Sequence, residues 1–194
     1  MIFKNRSKPR HSLPNRLFHW SYAPAVLACI FSGFYISNPS RKLGFKDMRS
    51  ALKTHLVAQQ IFLASFLGRL CYGYKSKNYK DFRIQRKDRI SLPKYLKYQL
   101  FLTPNKPQYK KYNPIQKILF TGLGVLLTAQ IATGLPLYAS DRWMKTRKIF
   151  GGLNPIRKLH YLSALLITSM VSGHIYFALT DNLRKLRSIF TGNK

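Results

Sequence analysis

Two histidines in one long apolar stretch are the residues of this chain whose type and spacing could do chemistry. Residues 159–180 contain no charged side chain, and His160 and His174 lie 14 residues apart within them. At about 100° per residue, that interval returns to within about 40° of the same helix face, about 21 Å further along the axis. One helix would therefore present two imidazoles in one direction at two depths. This arrangement suits two stacked haems, each of which takes a second histidine from another helix.

The elements that must position these histidines are four apolar runs. Each is long enough to cross a bilayer core of roughly 30 Å. The runs cover residues 17–36, 54–74, 115–139 and 159–180. Consecutive spans alternate in direction, so we predict an all-α integral membrane protein, a four-transmembrane-helix up-down bundle with two haems b inside. It would form a single membrane domain over residues 1–194.

The segments between the runs are basic. The arm at residues 1–16, the connection at residues 75–112 and the tail at residues 181–194 carry 21 Lys and Arg, of which 12 lie in the connection. Residues 91–102 within that connection mix basic and apolar positions, which predicts an interfacial helix.

The up-down order places the histidines at matched depths. His19 begins the first run and His55 begins the second, so they lie near opposite membrane faces. His160 begins the fourth run at the face of His55, and His174 lies deeper, toward the face of His19. The depths therefore predict two bis-histidine sites, His19 with His174 and His55 with His160, with all four side chains as axial ligands of haem iron.

Membrane histidines also have uses other than binding haem. A single one is often a hydrogen-bonding group between helices, as in a haem-free structural or transport protein. A zinc site gathers its ligands at one point, whereas His160 and His174 lie about 21 Å apart. Proton relays normally include Asp or Glu, and the four runs contain neither.

The charge balance raises nucleic acid as a partner. The chain has 34 Lys and Arg against five acidic residues, a net charge of +29. These bases flank apolar runs on every side, and nothing resembles a nucleic-acid-binding motif. Anionic membrane lipid is the simpler counter-charge, so we expect lipid contact and no nucleic acid.

The second run is the most polar of the four. It contains Gln59, Gln60 and Arg69, which are expensive to expose to lipid and should face the bundle interior or a ligand. Arg69 follows His55 by 14 residues and shares its helix face. It therefore either pairs with a haem propionate or extends to the headgroups, and the sequence leaves both open.

Four stretches of the chain resemble one family of proteins. They are RLFHW at residues 16–20, YNPIQK at 112–117, LHY at 159–161 and GHIYFAL at 173–179. In this order, with the 14-residue interval, they are similar to the bacterial di-haem b-type cytochromes of the cytochrome b-561 group. That group includes the nickel-iron hydrogenase cytochrome b subunit and resembles the formate dehydrogenase gamma subunit. Tyr112 stands where many hydrogenase members have histidine, which is closer to the formate dehydrogenase form.

The resemblance implies an electron-transfer subunit of a respiratory complex rather than a catalyst on its own. It implies two haems b in the bacterial inner membrane, with the N-terminus in the cytoplasm. The outer haem would take His55 and His160, and the inner haem His19 and His174. Asn113 would lie near a site for menaquinone or ubiquinone.

The partner implied by the resemblance lies on the periplasmic side. It would be an iron–sulfur subunit, hydrogenase-like or formate dehydrogenase-like, or a cytochrome c. The alternative is a free-standing membrane cytochrome b that shuttles electrons between quinol and a periplasmic cytochrome. Charge does not decide the orientation, because 21 Lys and Arg over about 70 residues on one side match the density of 11 over 36 on the other.

Overall fold

The computed structural model describes residues 10–105, 107–109, 112–180 and 183–192, without the side chains of residues 183–185. The predicted arm up to residue 9 and residues 181–182 and 193–194 of the predicted tail lie outside the described residues.

Helices make up the secondary structure of the described ranges. The α-helices are α1 (Leu13–Ser37), α2 (Met48–Lys75), α3 (Arg86–Gln99), α4 (Pro114–Tyr138), α5 (Met144–Ile149), α6 (Leu153–Thr180) and α7 (Leu183–Thr191). Two short 3₁₀ helices cover Pro39–Arg41 and Asn78–Phe82. The four apolar runs lie within α1, α2, α4 and α6, except for Ala139, which caps the end of α4.

Local chemistry sets where the long helices begin. Asn113 caps α4: its side chain accepts a hydrogen bond from the Gln116 amide at 2.7 Å, while the Gln116 side chain accepts from the Asn113 amide at 3.2 Å. Gly151 and Gly152 turn the chain into α6 with φ of +74° and +115°, a backbone conformation that favours glycine.

Three helices of the described residues are long and apolar enough to cross a membrane: α1, α4 and α6. These correspond to three of the four predicted spans. The 28 residues of α2 are long enough, but Lys53, Gln59, Gln60 and Arg69 make this helix more polar.

The chain groups into two compact units, Met1–Gly73 with Ile175–Lys194, and Tyr74–His174. In the first unit, α1 and α2 run antiparallel and approach closely at two glycines. A Cβ on Gly68 of α2 would lie 2.7 Å from Cε1 of Phe18, and a Cβ on Gly33 of α1 would lie 3.3 Å from Cε1 of His55. Only glycine leaves the two helices this close without moving a neighbour.

Helix α7 lies against the beginning of α1 in the same unit. Trp20 donates its indole N–H to the Ile189 carbonyl at 3.2 Å, and its ring lies 4.5 Å from that of Phe190. The guanidinium of Arg16 donates to the Phe190 carbonyl. The residues interpreted from sequence as a basic tail thus include a docked helix.

In the second unit, α4 packs against α6 and α3. A Cβ on Gly122 of α4 would lie 2.8 Å from the terminal methyl of Met170 of α6. Asp88 of α3 pairs with Lys117 of α4 at 2.8 Å, and both side chains are largely buried. A helix is confirmed within the predicted interfacial segment, but it begins five residues earlier, at Arg86, where Gln85 and Asp88 form a capping box.

Candidate functional site

Each of the four candidate histidines lies in a long helix and is half-buried. His19 belongs to α1, His55 to α2, and His160 and His174 to α6. Half-burial leaves part of each ring accessible from outside the packed side chains.

In the first unit, His55 contacts the end of α1. Its Nδ1 lies 3.0 Å from the hydroxyl of Ser32, and its Cε1 faces the bare backbone of Gly33. The hydroxyl of Ser32 also donates to the Ala28 carbonyl at 2.5 Å. The Sγ of Cys29 donates to the backbone carbonyl of His55 at 3.9 Å.

In the second unit, His160 contacts the end of α4 in the same way. Its Nδ1 lies 2.8 Å from the hydroxyl of Thr133, and a Cβ on Gly134 would lie 3.3 Å from its Cε1. Thr133 donates to the Ala129 carbonyl at 2.8 Å. The Gln130 amide donates to the backbone carbonyl of His160 at 3.1 Å.

The other two histidines contact aromatic rings. His174 meets Phe120 of α4 edge-on, with 5.5 Å between ring centroids. His19 meets Trp20 edge-on at 5.0 Å and Tyr22 at 5.8 Å.

Within each unit, the two histidines therefore lie at different levels along the helices. Ser32, which marks the level of His55, follows His19 by 13 residues on α1, which is about 20 Å at 1.5 Å per residue. His174 follows His160 by 14 residues on α6, about 21 Å. The predicted pairs, His19 with His174 and His55 with His160, each join residues of the two units and stay predictions.

Arg69 extends along its own helix. Its Nη1 lies 2.8 Å from where a Cβ of Gly73 would be, so glycine at that position leaves room for the guanidinium. The guanidinium thus points toward the end of α2. This direction is compatible both with pairing to a haem propionate and with extension to the lipid headgroups.

Asn113 is only 7% exposed and lies in an aromatic cluster of the second unit. Besides capping α4, its side chain donates to the hydroxyl of Tyr95 at 2.8 Å. The neighbouring Tyr112 packs edge-on against Phe120 at 5.5 Å, and Phe120 contacts His174. Rings thus connect the turn before α4 to one histidine.

Ser32, Thr133 and Gln130 were not identified as site residues from the sequence, which indicated α4 only as a scaffold without histidine. The signal that could have found two of them is a hydroxyl residue directly before a glycine near the end of a helix, Ser32-Gly33 in α1 and Thr133-Gly134 in α4.

A comparison with protein families assigns the chain to a family. The sequence model of the family described as prokaryotic cytochrome b561 matches residues 10–192. The chain belongs to this family. It is a membrane cytochrome b of electron transfer, and its cofactor is haem b.

Curated relatives of this cytochrome are similar over most of their length. The "Probable Ni/Fe-hydrogenase B-type cytochrome subunit" of Cupriavidus necator is 22% identical over 205 residues, covering 92% of this chain and 82% of the relative. The protein of the same name from Bradyrhizobium diazoefficiens is 22% identical over 203 residues, covering 93% and 81%. That from Rhodobacter capsulatus is 22% identical over 200 residues, covering 92% and 76%.

The residues present fit haem b as a ligand. Neutral imidazole bonded through Nδ1 offers Nε2 to a metal, which is the usual division of the two nitrogens. The hydroxyls of Ser32 and Thr133 occupy Nδ1 of His55 and His160. The glycines beside these rings leave space where a larger side chain would crowd them.

Proposed function

We propose that this cytochrome is a four-span, di-haem membrane subunit of the bacterial inner membrane. It passes electrons between a redox partner on the periplasmic side and the quinone pool. The observation that carries the proposal is the pair of levels: each unit has half-buried histidines about 20 Å apart along its apolar helices.

The proposed ligands are His55 and His160 for the outer haem, and His19 and His174 for the inner haem. When bound, haem b supplies reversible one-electron chemistry at its iron. Two histidines for each haem would leave no position on the iron for oxygen, which favours electron transfer over oxygen chemistry. The apolar helices exclude water from the bundle, and the hydroxyl contacts fix the rings of the outer pair.

Helix α2 is the fourth span in this proposal. Its close packing on α1 at Gly68 supports a place inside the bundle, where Gln59 and Arg69 are shielded from lipid. Arg69 follows His55 by 14 residues on α2, which is about 21 Å toward the inner level, and we propose a haem propionate as its partner there.

The quinone, menaquinone or ubiquinone, is proposed to bind near Asn113. The side chain of Asn113 is already hydrogen-bonded to the Gln116 amide and to the hydroxyl of Tyr95. It would therefore form part of the wall of the quinone site rather than donate to the quinone. The hydroxyl of Tyr109 is buried, and the described residues provide no hydrogen-bond partner for it. Its ring packs edge-on against Tyr95 at 5.7 Å, which places it beside the Asn113 cluster. Because the side chain of Asn113 is already hydrogen-bonded, the Tyr109 hydroxyl is the better donor to a quinone carbonyl.

The redox partner is proposed to be an iron–sulfur subunit of a hydrogenase-like enzyme, because the three relatives carry hydrogenase in their names. The same proposal places the N-terminus in the cytoplasm and the partner on the periplasmic side of the membrane.

The haem content of the purified chain tests the proposal. We expect two haems per polypeptide in a pyridine haemochrome assay. His55→Ala and His174→Ala should each lose one haem, and redox titration should show that the remaining haem differs between the two. His11→Ala is the control, since His11 precedes α1 and should retain both. A ratio of one, or loss of the same haem in both variants, would contradict the proposal.

A further inference from the structure

One local arrangement recurs in both units. A hydroxyl near the end of one helix lies within hydrogen-bonding distance of Nδ1 of a histidine on the next, 3.0 Å for Ser32 and His55 and 2.8 Å for Thr133 and His160. A glycine directly follows each hydroxyl residue and faces Cε1 of the same ring. The two copies are separated widely in sequence, yet their contacts correspond atom by atom.

The proton of each hydroxyl is already engaged by the backbone. Ser32 donates to the Ala28 carbonyl at 2.5 Å, and Thr133 donates to the Ala129 carbonyl at 2.8 Å. A hydroxyl has one proton to donate and two lone pairs to accept with. When the proton is given to a carbonyl, the oxygen can only accept from the ring. Nδ1 must then carry the imidazole proton, and Nε2 keeps its lone pair.

The backbone of each histidine is held from the same helix face. Cys29 donates to the carbonyl of His55 and Gln130 donates to the carbonyl of His160, at 3.9 Å and 3.1 Å. Both donors lie three residues before the hydroxyl residue of their helix. Ring and main chain are thus fixed together, which leaves the imidazole little freedom to rotate.

We infer that Ser32 and Thr133 are positioning residues that hold His55 and His160 in the Nδ1-protonated tautomer, with Nε2 unprotonated and directed away from the hydroxyl. The use of Nε2 as an iron ligand rests on the proposed function; the tautomer does not. An acceptor on Nδ1–H also raises the basicity of the ligating nitrogen, which stabilises the oxidised metal.

The chain offers matched variants for a test. Thr133→Val removes the hydroxyl and keeps the shape, whereas Thr133→Ser keeps the hydroxyl and removes a methyl group. The control is Thr128→Val on the same helix. Thr128 is exposed and also donates to the carbonyl four residues earlier, that of Gly124 at 2.8 Å.

The first measurement is ¹⁵N NMR of the full chain labelled at histidine and kept reduced, with His160→Ala to assign the signal. We expect Nδ1 of His160 to be protonated and its proton protected from exchange. Thr133→Val should lose this protection, while Thr133→Ser and Thr128→Val should retain it. A proton on Nε2 of His160 in the parent protein, or equal protection in Thr133→Val, would overturn the inference. The measurement reads the ring directly and does not require haem.

The second measurement is the midpoint potential of each haem. Thr133→Val and Ser32→Ala should each raise the midpoint potential of one haem without changing the haem content. Thr133→Ser, which keeps the hydroxyl, should have the potential of the parent protein. Equal shifts in Thr133→Val and Thr133→Ser would overturn the inference, because packing rather than the hydroxyl would then be responsible. If Ser32→Ala and Thr133→Val shift two different haems, the proposed pairing of His55 with His160 is wrong, while the hydroxyl's control of the tautomer is supported.

Discussion

At the scale of the residue, His55 and His160 are each held at one ring nitrogen by the neighbouring helix. Nδ1 anchors the ring to the neighbouring helix through a hydroxyl, at 3.0 Å for His55 and 2.8 Å for His160. In the proposed function, Nε2 is the nitrogen that binds iron. A short hydroxyl side chain reaches the ring only because the helices are close, and the glycine beside it permits that approach.

Gly134→Ala tests this steric condition. The new Cβ would lie 3.3 Å from Cε1 of His160, so the ring must move by a few tenths of an ångström and its bond to Thr133 must lengthen. We expect a shift in the α-band and the EPR signal of one haem. Gly124→Ala on the same helix is the matched control, because its Cβ would meet nothing within 4 Å. It should leave both signals unchanged and, by removing a helical glycine, stabilise α4 by up to about 1 kcal/mol. Identical spectra in the two variants would contradict the prediction.

The sequence identifies the histidines as candidates, but it does not identify their hydroxyl partners. A histidine in an uncharged apolar run is conspicuous, and helix geometry alone relates His160 to His174. The contact of Thr133 with His160 joins residues 27 positions apart. It depends on the depth and rotation of one helix against another, which the pattern of a single helix does not determine.

At the scale of the element, the buried ion pair between Asp88 and Lys117 attaches α3 to α4. Burial by itself raises the pKa of Asp88, but the hydrogen bonds from Lys117 and from the Gln85 amide, together with the nearby positive charge, hold it below its ordinary value. The carboxylate is therefore the form that the folded protein favours.

Asp88→Asn should lower the free energy of unfolding at neutral pH by about 1–3 kcal/mol, because it removes the charge and leaves Lys117 largely buried without its partner. A folded pKa below the unfolded one stabilises the protein at pH above about 3.9, and this contribution is lost as the pH falls through the folded pKa. The thermal midpoints of variant and parent should therefore differ at pH 7 and converge below about pH 4. Asp141→Asn, at an exposed position, should match the parent throughout. A difference between Asp88→Asn and the parent that is independent of pH would refute the role assigned to the ion pair.

The long helices could be predicted from the sequence because roughly 20 consecutive apolar residues favour a helix. The beginning of α3 was predicted wrongly, since a capping box between Gln85 and Asp88 starts it before the mixed segment. Helix α7 was missed because a run this basic resembles a solvated tail. Contacts such as that of Trp20 with Phe190 dock it, and they join residues far apart in sequence.

At the scale of the whole molecule, the number of spans decides which connections face the same side. With α2 as a span, the connections after α1 and after α4 share one side, and the segment with α3 lies on the other. With α1, α4 and α6 alone, the connection after α4 would lie opposite that after α1. Because α2 is more polar than the other three long helices, experiment must decide whether three or four helices span the membrane.

Labelling of single cysteines tests whether three or four helices span the membrane. In a background of Cys29→Ser and Cys71→Ser, exposed positions are Ser40 in the connection after α1, Lys94 in α3 and Lys148 in α5. We expect a membrane-impermeant maleimide to label Ser40→Cys and Lys148→Cys in spheroplasts. Lys94→Cys should react only after permeabilisation, because in a four-span chain the second span, α2, returns the chain to the cytoplasm before α3. Labelling of Ser40→Cys and Lys94→Cys together, with Lys148→Cys protected, would mean three spans. His55 would then not lie in a membrane span, and its proposed pairing with His160 would be wrong.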